Sequence, residues 1–111
     1  MAVYIVSLID TTDPEGMLQY QKNYPALVEA YGGKFLARGG WVEALEGHWD
    51  HDRMVVMEFP SRKAALAWYR SPEYRPFIEA RQRCGRATLL MVDGVGGDAE
   101  VDASARWKPP S

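Results

Sequence analysis

The chain has 111 residues, 47% of them hydrophobic and 25% charged, with a formal net charge of −2. That is the size and composition of one soluble globular domain, and the slight acidity, with Lys and Arg scattered, argues against a nucleic-acid partner. The single cysteine, Cys84, rules out an intramolecular disulfide and a cysteine-based zinc cluster.

The first apolar run, Val3 to Ile9, lacks a basic flank and is too short to cross a bilayer, so a cytoplasmic location with no membrane partner is expected. Its near-continuous apolarity predicts a central strand covered on both faces. Asp13 before Pro14 then reads as an N-cap followed by proline at the first helical position. Met17, Tyr20, Tyr24, Leu27, Val28 and Tyr31 follow at helical spacing as a core-facing stripe. Pro25 interrupts that stripe and predicts a kink or a split into two helices, ended by Gly32 and Gly33.

Lys34 to Arg38 predicts a second strand, with Phe35 and Ala37 on one face and Leu36 and Arg38 on the other. Gly39 and Gly40 interrupt it, and the Trp41–Glu46 segment is expected to resume an extended conformation. The polar segment from Gly47 to Asp52 reads as a hairpin loop. A third strand runs from Met54 to Phe59, with Val55, Met57 and Phe59 on one face and Met54, Val56 and Glu58 on the other. Pro60 stops it, Ser61 caps a helix through Tyr69, and Ser71-Pro72 signals a second helix ending at Gly85. Ala87 to Val92 is a fourth buried strand. From Gly96 the periodicity is lost, so the chain divides into an α+β domain over residues 1–95 and a tail over residues 96–111, expected to be flexible.

The order is βαββαβ, the ferredoxin-like pattern of a four-stranded antiparallel sheet with both helices on one face. All strands carry apolar residues on both faces, so the uncovered face is expected to pair with a second copy as a homodimer.

The segments FLARGG (35–40), LEG (45–47), VVMEFPS (55–61), AWYRSPEY (67–74), the Arg81 position and VDG (92–94) resemble domain-of-unknown-function family 1330. The resemblance spans roughly residues 2–95 and implies the dimeric α+β-barrel superfamily. It implies no particular activity, because relatives in that superfamily differ in chemistry and a fold does not choose among them.

Glu58 stands in an apolar run, and a desolvated carboxylate must be paired or protonated. With Arg38 expected on the same face, the pair is the candidate catalytic group, Glu58 as general acid or base and Arg38 holding an anionic substrate. The alternative is an ion pair that sets strand or dimer register. Trp68, Tyr69, Tyr74 and Arg81 are candidate ligand-binding residues; the competing assignments are core packing for Trp68 and a structural tie for Arg81. His48, within His48-Trp49-Asp50-His51-Asp52, is a candidate base near a dimer cleft, and the whole loop is otherwise a solvated turn. His48, Asp50, His51 and Asp52 could together bind a divalent ion, but the loop is short and lacks a rigid scaffold, so no metal is expected. No phosphate loop, nucleophile elbow or dinucleotide fingerprint is present, so no cofactor is expected. Function is thereby narrowed to a small-molecule binder or cofactor-independent enzyme in a cleft between sheet and helices, or to a non-catalytic dimerisation or sensing module.

Overall fold

A computed structural model describes residues 2–95. Strand β1 (Val3–Thr11) leads to α1 (Pro14–Asn23) and α2 (Pro25–Ala30), followed by β2 (Lys34–Arg38) and β3 (Arg53–Phe59). Helices α3 (Arg62–Tyr69) and α4 (Arg75–Cys84) and strand β4 (Gly85–Asp93) complete the domain. The sheet is antiparallel in the order β2-β3-β1-β4, with β1 central and the helices on one face. None of the described helices is long and apolar enough to cross a membrane.

Local chemistry accounts for the element boundaries. The Asp13 carboxylate accepts from the Gly16 N–H at 3.2 Å, and Pro14 occupies the first position of α1. Pro25 cannot donate a backbone hydrogen bond, so the helix breaks at Tyr24 into α1 and α2. Ser61 Oγ accepts from the Ala64 N–H at 3.0 Å and starts α3. Ser71 behaves differently from the expected helix cap. Its hydroxyl donates to the Trp68 carbonyl at 2.8 Å and accepts from the Tyr74 N–H at 3.2 Å, folding residues 71–74 into a turn, so α4 begins at Arg75. Gly85 joins α4 to β4 where the backbone presses against Asp10; a Cβ there would meet the Asp10 carbonyl oxygen.

The core lies between the sheet and the helices. Val3, Ile5 and Ile9 of β1 and Val55, Met57 and Phe59 of β3 are buried against Met17, Tyr20, Val28, Ala65, Trp68 and Tyr74. The faces of β3 alternate as the sequence predicts. Strand β1, expected to be covered on both faces, alternates too and is buried only on its helix face. Strand β4, expected to be buried, is an edge strand with no fully buried residue. The opposite face has no covering element among the described residues. Across it run the rows Lys34–Glu58–Tyr4–Val92, Ala37–Val56–Val6–Leu90 and Met54–Leu8–Thr88. Leu90 and Val92 are about half exposed there (53% and 52%), so the face is apolar and open to solvent.

Two expectations fail in β2 and the loop after it. Residues 39–52 form no strand, so the extended segment expected over 41–46 is irregular, and Trp41 and Leu45 stand almost fully exposed on it. The ladder between β2 and β3 also slips: Phe35 pairs with Met57, Ala37 with Val56, and Arg38 with Val55. Leu36 is therefore an extra residue in a bulge, and alternation resumes inverted beyond it. Residues 96–111, expected to be a flexible tail, lie outside the described residues.

Candidate functional site

The bulge decides where Arg38 goes. Opposite Val55, it sits on the helix face, with its guanidinium 4.9 Å from the centre of the Phe35 ring. Glu58 is on the other face, where its carboxylate lies 3.8 Å from Lys34 Nζ and next to the Tyr4 phenol. The expected Arg38–Glu58 juxtaposition is thus absent, for the physical reason that one inserted residue turns every later side chain of β2 over. Glu58 raises the pKa of the Tyr4 phenol, first by hydrogen bonding and then by its negative charge.

Trp68 is fully buried, stacked on Phe59 (centroids 5.4 Å apart) and tilted against Tyr74 at 4.4 Å. Its indole N–H is buried without a hydrogen-bond partner, an unusual state for a group that normally finds one. Tyr69, the last residue of α3, is 39% exposed and stands 6.1 Å from both the Trp68 and Tyr74 rings. Trp68 and Tyr69 share a cleft of about 220 Å³ between α3 and the β1–β4 side of the sheet. Ile5, Leu89 and Met91 supply its floor, and Ala65 and Leu66 its wall. Tyr69 also lines a second, more polar groove of about 400 Å³ with Arg70, Ser71 and Arg75.

Tyr74 and Arg81 belong to a different group. Tyr74 is fully buried, its hydroxyl 2.6 Å from that of Tyr20, which stacks on Tyr24 with centroids 4.4 Å apart. Burial raises the pKa of all three phenols; Tyr24 is pushed up to about 12, with Arg53, Arg38 and Arg81 pulling in the opposite direction. Arg81 is only 5% exposed. The sequence-level pattern read Tyr20 and Tyr24 simply as members of an apolar stripe and passed over Arg53. Yet Arg53 shares the parity of Val55, Met57 and Phe59, and a cation on the core parity of a strand was the available signal.

His48 is exposed in the irregular loop. His51 is the imidazole with a structural role: its Nδ1 lies 3.1 Å from the Asp10 carboxylate. Asp52 accepts from both the N–H (2.8 Å) and hydroxyl (3.2 Å) of Thr11, tying the loop to the end of β1. No three His, Cys, Asp or Glu side chains gather among the described residues in a way that could hold a metal ion. Cys84 is buried, with Sγ 3.9 Å from the Asp13 carboxylate.

This architecture defines a ferredoxin-like α+β protein. The chain belongs to the family described as a domain of unknown function, DUF1330, which it matches over residues 2–95. Solved structures agree on the fold. A protein of unknown function from Rhodopseudomonas palustris, RPA0582, is 22% identical with a TM-score of 0.67, covering 86% of this chain and 84% of its own. SnoaB, a cofactor-independent oxygenase from Streptomyces nogalater, is 12% identical with a TM-score of 0.66 over 87% of this chain and 96% of its own. A dimeric ferredoxin-like protein of unknown function from Jannaschia sp. CCS1 is 10% identical with a TM-score of 0.65, over 85% and 100%. No curated protein matches the chain.

Proposed function

We propose that the protein is a homodimer, joined through its open sheet faces, that binds a small and largely apolar molecule between α3 and the β1–β4 side of the sheet. The observation that carries the binding site is the cleft of about 220 Å³ lined by Ile5, Ala65, Leu66, Leu89 and Met91, with Trp68 and Tyr69 beside them. It is smaller than the roughly 300–1,000 Å³ of drug-sized ligand sites, so the ligand is correspondingly small. A ligand of one aromatic ring burying about 150–250 Å² gains roughly 4–6 kcal/mol from desolvation. Association costs about as much, so a polar contact must supply the margin. Tyr69, which lines the cleft and is partly exposed, carries a hydroxyl that can do so.

The lining contains no carboxylate, imidazole or amine. Tyr69 is the only conventional proton donor there, which favours binding or sensing over turnover. The second reading, a cofactor-independent enzyme, draws on the likeness to SnoaB and assigns Tyr69 as the acid–base group. Glu58 lies on the opposite face of the sheet, where its pairing with Lys34 supports a structural role at the dimer contact.

A thermal-shift screen of small aromatic and alicyclic metabolites tests the reading, because a ligand that binds only the folded state raises the melting temperature. Leu66→Trp fills the cleft from its half-buried wall and is expected to abolish the shift, while Glu58→Gln leaves it intact. A hit that survives Leu66→Trp sinks the site. Turnover lost in Tyr69→Phe with binding retained would select the enzymatic reading.

A further inference from the structure

The helix face carries three cations with no carboxylate in ion-pair contact among the described residues. Arg38 and Arg53 are diagonal neighbours on that face of the β2–β3 edge, one opposite Val55 and the other two residues before it. Residues so placed have Cα atoms about 7–8 Å apart, within reach of long side chains. The Arg53 guanidinium lies against Gly39, where a Cβ would collide with it, and the left-handed conformation of Gly39 (φ +74°) keeps that space clear. Arg81 follows Tyr74 and Phe77 on the inward stripe of α4. The ion pairs among the described residues are Lys34–Glu58, His51–Asp10 and Arg62–Asp93, and none engages these arginines.

Such an arrangement is costly unless something neutralises it. Arg81 is only 5% exposed, and Arg53 Nε is buried with no hydrogen-bond partner. Buried cations are ordinarily paired, and neighbouring like charges repel. The phenols of Tyr20, Tyr24 and Tyr74 are neutral near pH 7, as ordinary phenols are, and burial raises their pKa values further, so they do not supply the missing charge.

We infer that this edge of the helix face is a binding site for a small organic carboxylate, gripped by Arg53 and Arg38. The guanidinium fork matches a carboxylate in two parallel hydrogen bonds. The ring pair Phe35 and Tyr24, edge to face at 5.6 Å, provides an aromatic shelf beside it. That shelf and the partial burial of Arg53 favour a monoanion with an unsaturated body over a strongly hydrated phosphate. Arg38 is exposed and Arg53 half-buried, which leaves the entrance open. This site is separate from the α3 cleft and does not depend on it.

Titration of the full chain with sodium benzoate at constant ionic strength, followed by the arginine Nε–H NMR signals, tests the inference. Benzoate is expected to shift the Arg53 Nε–H signal saturably, and benzamide is not. Arg53→Gln and Arg38→Gln are each expected to weaken benzoate roughly tenfold or more, the loss of one charge-assisted contact. Arg38 is exposed, so Arg38→Gln decides the matter if Arg53→Gln does not fold. Leu66→Trp should leave benzoate binding unchanged. Absence of a saturable shift, an equal response to benzamide or inorganic phosphate, or benzoate binding lost in Leu66→Trp but kept in both arginine variants overturns the inference.

Discussion

The Tyr20–Tyr74 hydroxyl pair is the most consequential polar contact in the core, because each phenol is buried and each is the other's partner at 2.6 Å. Tyr74→Phe leaves the Tyr20 hydroxyl buried and alone, an expected loss of about 1–3 kcal/mol. Tyr20→Phe/Tyr74→Phe removes both groups and is expected to recover much of it. Chemical denaturation of the singles and the double measures this, and additive losses would show that the hydroxyls are not coupled. Alkaline pH probes the same cluster. Tyr24 holds its proton up to about pH 12 in the folded state against an ordinary value near 10. The folded chain therefore binds more protons than the unfolded one across that window. Its stabilising effect is complete below pH 10 and is lost as the pH rises toward 12, at most about 1.4 kcal/mol per unit from this group. Phenol absorbance recorded together with circular dichroism should show Tyr24 ionising only as the fold is lost. The hydroxyl pairing was illegible beforehand, because tyrosines at helical spacing look the same whether or not their oxygens meet.

At the scale of elements, β2 is where alternation misleads. Strict alternation predicts Arg38 beside Glu58, and the Leu36 bulge puts it on the helix face instead. Deleting Leu36 should leave Phe35, Ala37 and Arg38 opposite Met57, Val56 and Val55 in a regular ladder. Leu36 is half exposed, so this deletion is expected to cost only about 1 kcal/mol in denaturant melts. Deleting Val56 from the unbulged partner strand inverts the residues before it and should unfold the domain. If the two deletions prove equally damaging, Leu36 is not the extra residue. Elsewhere local chemistry was a good guide. Pro25 split the first helix, Ser61 capped α3, and β1 proved central. Ser71 began a turn rather than a helix, because its hydroxyl engages Trp68 as well as Tyr74.

For the whole molecule, the decisive feature is that the helices cover one side of the sheet only. Val6 sits at the middle of the other side, between Val56 and Leu90. Val6→Glu is expected to leave the monomer folded and abolish dimerisation, since an unpaired carboxylate cannot be buried cheaply between two apolar sheets. Sedimentation velocity at micromolar concentration should show a dimer for the natural chain and a monomer for the variant. A natural chain that sediments as a monomer sinks the sheet-to-sheet assembly.

From the sequence alone came the ferredoxin-like order of elements, the family resemblance over residues 2–95 and the two-faced apolarity of the sheet. These are properties of periodicity and local capping, which near neighbours in the chain decide. The tertiary structure alone decided which side chains meet. It separated Arg38 from Glu58, joined Tyr20 to Tyr74 across 54 positions, and set Arg53 and Arg81 on the helix face with no carboxylate in ion-pair contact among the described residues. Such meetings depend on one bulge and on the packing of helices against a sheet, and neither leaves a periodic trace in the chain.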